Sequence, residues 1–337
     1  MAQNNRTRVT LENVAKHAGV SRATASLVAR NSPLIPEKTA KKVIQSMKEL
    51  GYVYDRVAAN LRSKSSNTVG MIITEISNPF FSELLAGVHE SLDKGGYSVV
   101  LGTTFENGLR QDRILSAMLE NRAGGIILSP VSDISEAVFK QYREWDVPII
   151  QIAREFPGFD CDYIGINNIL GGQLAVEHLI KKGHKRIAYL GGPLASSASQ
   201  DRKKGYELAL EQAGLQIDEH LVLNISATRE EGIKGIEQLL GVTEPPTAVF
   251  CYNDVVALGV MLYLRRRNLV PGMDIDIVGF DNIPDAESFY PSLTTVSSFP
   301  RKVGKLAADL LHQRLNGLVS EPQRIILDPE LVIRESG

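Results

Sequence analysis

The stretch TLENVAKHAGVSRATASLVAR, residues 10–30, decides how the chain begins. Thr10 is a good N-cap, because its hydroxyl can accept from an unpaired N–H of the first helical turn. Leu11, Val14, Ala15 and Ala18 then recur at helical spacing and give one apolar face. Gly19 breaks the pattern and supplies the positive φ that a tight turn between helices needs. Ser21 can cap a second helix over RATASLVAR, whose buried side carries Ala25 and Val28. A third helix follows Pro36 over residues 37–50, with Val43, Ile44, Met47 and Leu50 on one face and Gly51 just past its end. Two short helices joined by a glycine turn and braced by a third form a helix-turn-helix unit. In such a unit the second helix enters the major groove of double-stranded DNA. Arg22 can pair with guanine O6 and N7, and Ala23 and Leu27 can meet a thymine methyl. Thr24, Ser26 and Arg30 are placed for phosphates, and Thr10 and Ser21 at the helix starts complete the expected DNA-binding set.

Charge is divided unevenly along the 337 residues. Residues 1–64 hold 12 Lys and Arg against 4 Asp and Glu, an excess of +8, while the remainder carries −10. A basic head on an acidic body fits a polyanion-binding module joined to a part that binds no polyanion. The chain is 43% hydrophobic and 23% charged, the composition of a globular protein of two to three domains at ~100–200 residues each. It has no apolar run of about 18 residues, so no membrane span is expected. The opening MAQNNRTRVTLENV has no apolar export segment, which predicts a cytoplasmic protein. Two cysteines, Cys161 and Cys251, are too few for a disulfide framework or a four-ligand zinc site. Neither a metal nor a cofactor is expected.

From Val69 onward short apolar runs alternate with amphipathic segments. VGMII, SVVLG, GGIILS, PIIQIA, YIGI, RIAYLG, AVFCY and DIVGF read as buried strands, and helices are expected between them, one over residues 134–145. This βαβ rhythm predicts an α/β core of two doubly wound parallel-sheet subdomains behind an all-α head. Glycine pairs at 95–96, 124–125, 171–172 and 191–192 read as turns. Enzyme fingerprints are absent: there is no G-x-G-x-x-G, no G-x-x-x-x-G-K-[ST], no G-x-S-x-G and no H-E-x-x-H. The six histidines lack ligand spacing, and His178 and His184 read as structural caps at a helix end.

A doubly wound fold binds its ligand beyond the strand C-termini. Arg154 follows PIIQIA, Arg202 follows the polar loop PLASSASQD, Asn253 and Asp254 follow AVFCY, and Asp281 and Asn282 follow DIVGF. Arginine forks and carboxylates together read hydroxyl groups, so Arg154, Arg202, Asn253 and Asp281 make a polyol reader. Phe80 and Phe81 of SNPFF offer an apolar floor for a sugar ring. Asn253-Asp254 also opens a helix, so one of the two is a candidate N-cap, and Asp281-Asn282 has a turn as its structural reading.

VTLENVAKHAGVSRATAS, GYVYDRVAANLRS and NTVGMII resemble the start of a LacI/GalR-family transcriptional regulator. The resemblance runs on through SNPFF, GHKRIAYLGG, SQDRKKGY, AVFCYNDVVALG, DIVGFDN and PSLTTVSSFPRKVG, which are similar to the family's effector core and to periplasmic sugar-binding proteins. It implies that residues 56–63 form a hinge helix on DNA, with Ala58 and Leu61 contacting the minor groove and Leu61 as its apolar wedge. It implies that Arg202, Asn253 and Asp281 anchor the effector and that Phe81 stacks on it. Leu27, where most members carry Arg, suggests a maltose-regulon-repressor-like subgroup. Ala153 and Ala227 replace polar and aromatic residues that some members use.

The domains implied are 1–54 for DNA binding, 55–66 for hinge and linker, and 67–337 for the core. The core divides into an N-subdomain at 67–164 and 297–325 and a C-subdomain at 165–296 and 326–337. The expected protein is a homodimeric repressor of a carbohydrate operon that binds a pseudo-palindromic operator and a small sugar or sugar phosphate. A C-terminal segment without apolar heptads predicts a dimer and not a tetramer. Two other readings are a sugar-binding transport protein and a regulator with a non-sugar effector such as a nucleobase.

Overall fold

The computed structural model describes residues 9–30, 32–53, 66–131, 137, 140, 141, 144–156 and 158–337. The hinge residues Ala58 and Leu61, and most of the helix expected over 134–145, lie outside the described residues. The described chain forms two compact units, divided between Ser65 and Ser66.

The first unit holds α1 (Leu11–Ala18), α2 (Arg22–Ala29) and α3 (Glu37–Leu50). Its caps follow from local sequence. The Asn13 N–H donates to Thr10 Oγ1 while the Thr10 N–H donates to Asn13 Oδ1, a reciprocal capping box. The Thr24 N–H donates to Ser21 Oγ at 3.0 Å. Gly19 ends α1 at φ 63°, where a side chain would be strained. Val14, Ala15, Ala18, Ala25, Val28 and Val43 make a small buried core, with Met47 and Leu50 packed against it. Ile44 does not belong to that face. It is 42% exposed, and Ser46 is buried in its stead, its hydroxyl donating to the Lys42 carbonyl.

The second unit contains two six-stranded sheets. The first orders β2 (Ser98–Thr103), β1 (Thr68–Ile73), β3 (Gly125–Leu128), β4 (Ile149–Ile152), β5 (Asp162–Ile166) and β11 (Arg324–Leu327), all parallel. The second orders β7 (Val222–Asn224), β6 (Ile187–Gly191), β8 (Ala248–Cys251), β9 (Asp276–Asp281), β10 (Thr294–Ser297) and β12 (Glu330–Val332). Only its edge strand β12 runs antiparallel, to its neighbour β10. Strands β1, β3, β4 and β5 and β6, β8, β9 and β10 are almost wholly buried, as sheets covered on both faces must be.

Helices α4 (Pro79–Leu92), α5 (Gly108–Glu120) and α11 (Pro300–Leu315) cover the first sheet. Helices α6 (Asn168–Lys181), α7 (Ser197–Gln212), α8 (Arg229–Leu240), α9 (Asp254–Arg266) and the short α10 (Pro284–Ser288) accompany the second. The chain crosses between the sheets after β5, β10 and β11, so Ile166 and Leu327 still belong to the first sheet. Gly171 and Gly172 are not a turn; both lie inside α6. A Cβ on Gly172 would stand 2.5 Å from the Arg202 carbonyl, so glycine lets α6 and α7 pack backbone to backbone. That contact fixes the helix from which Arg202 projects.

Candidate functional site

In the first unit, Ser21, Arg22, Ala23 and Arg30 are exposed, and Thr24, Ser26 and Leu27 are half-buried along α2. Arg22 makes no ion pair among the described residues. Arg30 Nε donates to the Ser26 carbonyl at 3.3 Å, while Thr10 and Ser21 direct their hydroxyls into their own helix starts. The apolar side of α2 faces the small core and its polar side faces solvent, which is the arrangement a groove-reading helix requires.

In the second unit one cleft between the two sheets is lined by Phe80, Phe81, Arg154, Arg202, Asn253 and Asp281, the six core residues singled out from sequence. It is narrow and partly open to solvent, with a cavity of about 50 Å³. Thr74, Glu75, Asn78, Glu106, Tyr252 and three alanines complete its wall. The backbone around it is strained. Phe105 and Glu106 after β2, Ala153 after β4, Asp281 at the end of β9 with Asn282 after it, and Phe299 after β10 all have positive φ. Such conformations cost ~1–3 kcal/mol each and gather where a site is held in shape.

Arg202 does not follow a polar loop. PLASSASQD enters α7 at Ser197, and Arg202 lies in the second turn of that helix, 6% exposed. Its donors are also not left waiting for a ligand. Nε donates to Asn168 Oδ1 at 2.9 Å, Nη1 donates to the Tyr252 carbonyl at 2.6 Å, and Nη2 stands 3.5 Å from Asp281 Oδ1. The guanidinium lies 3.6 Å over the Phe280 ring and 4.7 Å from the Tyr252 centroid. Planar stacking with edge donation suits arginine and would not suit lysine.

Burial pushes the Asp281 carboxyl up to about 6, against the pull of Arg202 and the hydroxyl of Ser298. Behind it Asp254 is raised well above the carboxylate range by burial and by Asp281. Asp254 accepts from the Ile283 N–H at 2.8 Å and from Thr295 Oγ1 at 2.5 Å. It is therefore a structural strut, and the N-cap of α9 is Asn253, whose Oδ1 accepts from the Val256 N–H at 3.0 Å.

On the facing wall Arg154 Nη1 stands 2.8 Å from Glu106. Burial works against the Arg154 charge, but Tyr252 and Glu106 outweigh it and raise its pKa. Phe80 and Phe81 meet edge to face, centroids 5.0 Å apart and planes at 83°. Glu106 and Tyr252 were missed from sequence, although both follow strands and the same strand-end rule reaches them.

His184 bridges Thr247 Oγ1 at 2.8 Å and Asp276 at 2.9 Å, a structural role at the opposite ends of the strands. Both cysteines are free thiols. Among the described residues no cluster of His, Cys, Asp and Glu is arranged to hold a metal, and no helix is long and apolar enough to cross a membrane.

The family model for bacterial regulatory proteins of the lacI family matches residues 10–55, and the one for a periplasmic binding protein-like domain matches residues 176–337. The chain is 34% identical over 328 residues to the HTH-type transcriptional repressor PurR of Vibrio atlanticus, covering 97% of this chain and 98% of that one. The chain belongs to the LacI family. The ribose operon repressor of Escherichia coli K12 is another LacI relative, 36% identical over 331 residues, with 97% and 99% covered. A lac repressor dimer solved with operator and the anti-inducer ONPF superposes with a TM-score of 0.85 at 28% identity, over 98% of this chain and 99% of that one. As a LacI-family member this chain is a ligand-responsive, DNA-binding transcriptional regulator and not an enzyme.

Proposed function

We propose that this regulator is a homodimeric repressor acting in the cytoplasm, whose affinity for a pseudo-palindromic operator is set by a small sugar or sugar phosphate in the core cleft. The observation that carries this reading is the convergence of Phe80, Phe81, Arg154, Arg202, Asn253 and Asp281 on one cleft between the two sheets. Apolar floor and paired charged groups from different elements suit a ring bearing hydroxyls. Arg22, Ala23 and Leu27 read bases, Thr24, Ser26 and Arg30 hold phosphates, and Ala58 and Leu61 engage the minor groove from the hinge at 55–66. Domain limits at 54 and 66, and the division of the core near 164, 297 and 325, accompany this reading.

The coupling is thermodynamic. The effector changes DNA affinity only by its differential affinity for two arrangements of the core. A nucleobase is the second reading, favoured by the similarity to PurR. The maltose-regulon-like subgroup rests on Leu27 alone, and the relatives quoted are PurR and a ribose operon repressor. Leu27 is better taken as part of the operator preference. The test is selection of operators from random DNA by the full chain, followed by anisotropy titration with and without sugars. Two half-sites about one helical turn apart, with affinity altered by a sugar, are expected. A single asymmetric site, unaffected by any sugar, sugar phosphate or nucleobase, would refute the reading.

A further inference from the structure

We propose that the effector is electrically neutral, an unphosphorylated polyol, and that the cleft itself rejects phosphorylated sugars and flat nucleobases. The proposal rests on the effector reading above and narrows it. Its first support is a census of charge. Two cations reach the cleft, Arg154 and Arg202, and three anions, Glu75, Glu106 and Asp281. Arg154 is paired with Glu106 at 2.8 Å and Arg202 with Asp281 at 3.5 Å. Glu75 makes no ion pair among the described residues; its carboxylate accepts from the Ser77 N–H. The cleft therefore offers no surplus positive charge. A phosphate would have to draw an arginine from its carboxylate and then face that carboxylate at close range, in a buried place where like charges are poorly screened.

A hydroxyl meets no such conflict. It accepts from a guanidinium and donates to a carboxylate at the same time, so it can insert at an Arg–carboxylate pair and satisfy both members. Two such pairs on facing walls are matched by a ring with hydroxyls on both edges. The helix starts tell against an anion as well. Backbone N–H groups at a helix N-terminus are ready phosphate ligands. At α4 and α9 they are occupied by the chain's own Asn78 and Asn253 side chains, which accept from the Phe80 and Val256 N–H groups.

The apolar surfaces argue against a purine. Phe80 and Phe81 are nearly perpendicular, so only one ring at a time can lie flat on a ligand. The cleft lining otherwise includes Ala153, Ala198 and Ala227, and Tyr252 is already engaged with Arg202. A flat base sandwiched between two aromatic faces has no second face here, whereas a sugar needs only one.

The experiment is isothermal titration of the full chain with neutral pentoses, hexoses and disaccharides, the 5- or 6-phosphates of the same sugars, and hypoxanthine. At least one neutral sugar is expected to bind, with its phosphate weaker by roughly a hundredfold or more, within the ~10⁴–10⁵ that unpaired buried groups can set. Glu106→Gln, which frees Arg154 from its anion, is expected to narrow that gap by roughly tenfold, the scale of one charged hydrogen bond. A sugar phosphate or hypoxanthine binding more tightly than every neutral sugar would overturn the neutrality claim while leaving the cleft as the effector site. Binding of no neutral sugar would overturn it too. A neutral sugar whose affinity ignores both Arg202→Ala and Glu106→Gln would instead show that the ligand sits elsewhere, and the effector reading of the cleft would fall.

Discussion

On α2 the side chain proposed to read a base, Arg22, stands uncommitted. Arg22 is exposed and without an ion pair among the described residues, and no acidic residue shares its helix. In the core cleft the opposite holds, since Arg154 and Arg202 are buried and already bonded to groups of the same chain. The first surface gains whatever DNA contributes, together with the entropy of the counterions released. The second can only exchange one set of hydrogen bonds for another. Affinity for DNA should thus be broad and electrostatic, and affinity for the effector should depend on how well a ligand reproduces bonds that already exist.

Salt separates the two surfaces most strongly. Six to ten phosphate contacts lose about 10³–10⁵ in affinity between 50 and 200 mM salt. With a head carrying +8 in each of two subunits, operator affinity measured by anisotropy should fall on that scale. Effector affinity measured by calorimetry should change by less than roughly twofold, because buried pairs are little screened. Parallel losses in both would erase the contrast.

Substitution of the two key arginines sharpens it. Arg202→Ala leaves the buried Asp281, the Asn168 amide and the Tyr252 carbonyl without their partner. Removing one member of a buried pair costs about 3–5 kcal/mol. Urea unfolding should report a loss of that order in the core, in addition to lost effector binding. Arg22→Ala should leave unfolding unchanged and weaken operator binding by about 1–3 kcal/mol, relaxing preference mainly at one base per half-site. A core as stable as the parent after Arg202→Ala would mean that the internal bonds contribute nothing, and the ligand-free arrangement would need another explanation.

Acid provides the smallest effect. Asp281 is held near pH 6 by burial, so at pH 7.5 it is ionised and can accept from effector hydroxyls. Lowering the pH to about 5 leaves roughly a tenth ionised, and effector affinity should fall by about tenfold. Stability moves the other way. A carboxyl whose folded value lies above its ordinary one favours the folded state below about pH 4, and that contribution is lost as the pH rises through about 6. Asp281→Asn should flatten both profiles. An unchanged pH profile in that variant would assign the titration to another group.

These outcomes also show where sequence reading carries and where it stops. The caps at Thr10 and Ser21 were legible because both partners lie within three residues. The strand ends were legible because buried parallel strands are short apolar runs, and the rule that ligands bind beyond them brought Arg154, Asn253 and Asp281 to one cleft. The internal pairing of that cleft was not. Asn168 lies 34 residues from Arg202, and Glu106 lies 48 from Arg154, with no local pattern joining them. The run PLASSASQD looked like a loop because it lacks apolar periodicity and its helix begins without a side-chain cap. Ile44 looked like core by type alone, yet it falls one position off the stripe set by Ala40, Val43, Met47 and Leu50.

One linkage is central, between a ligand in the cleft and the grip of the head on DNA. The direct measurement is operator affinity of the full chain, by anisotropy at fixed salt, with and without a saturating neutral sugar found by titration. A change of about 5–150-fold, in either direction, is predicted. It should vanish in Arg202→Ala at the same sugar concentration. Saturation of the cleft with no change in operator affinity would contradict the account.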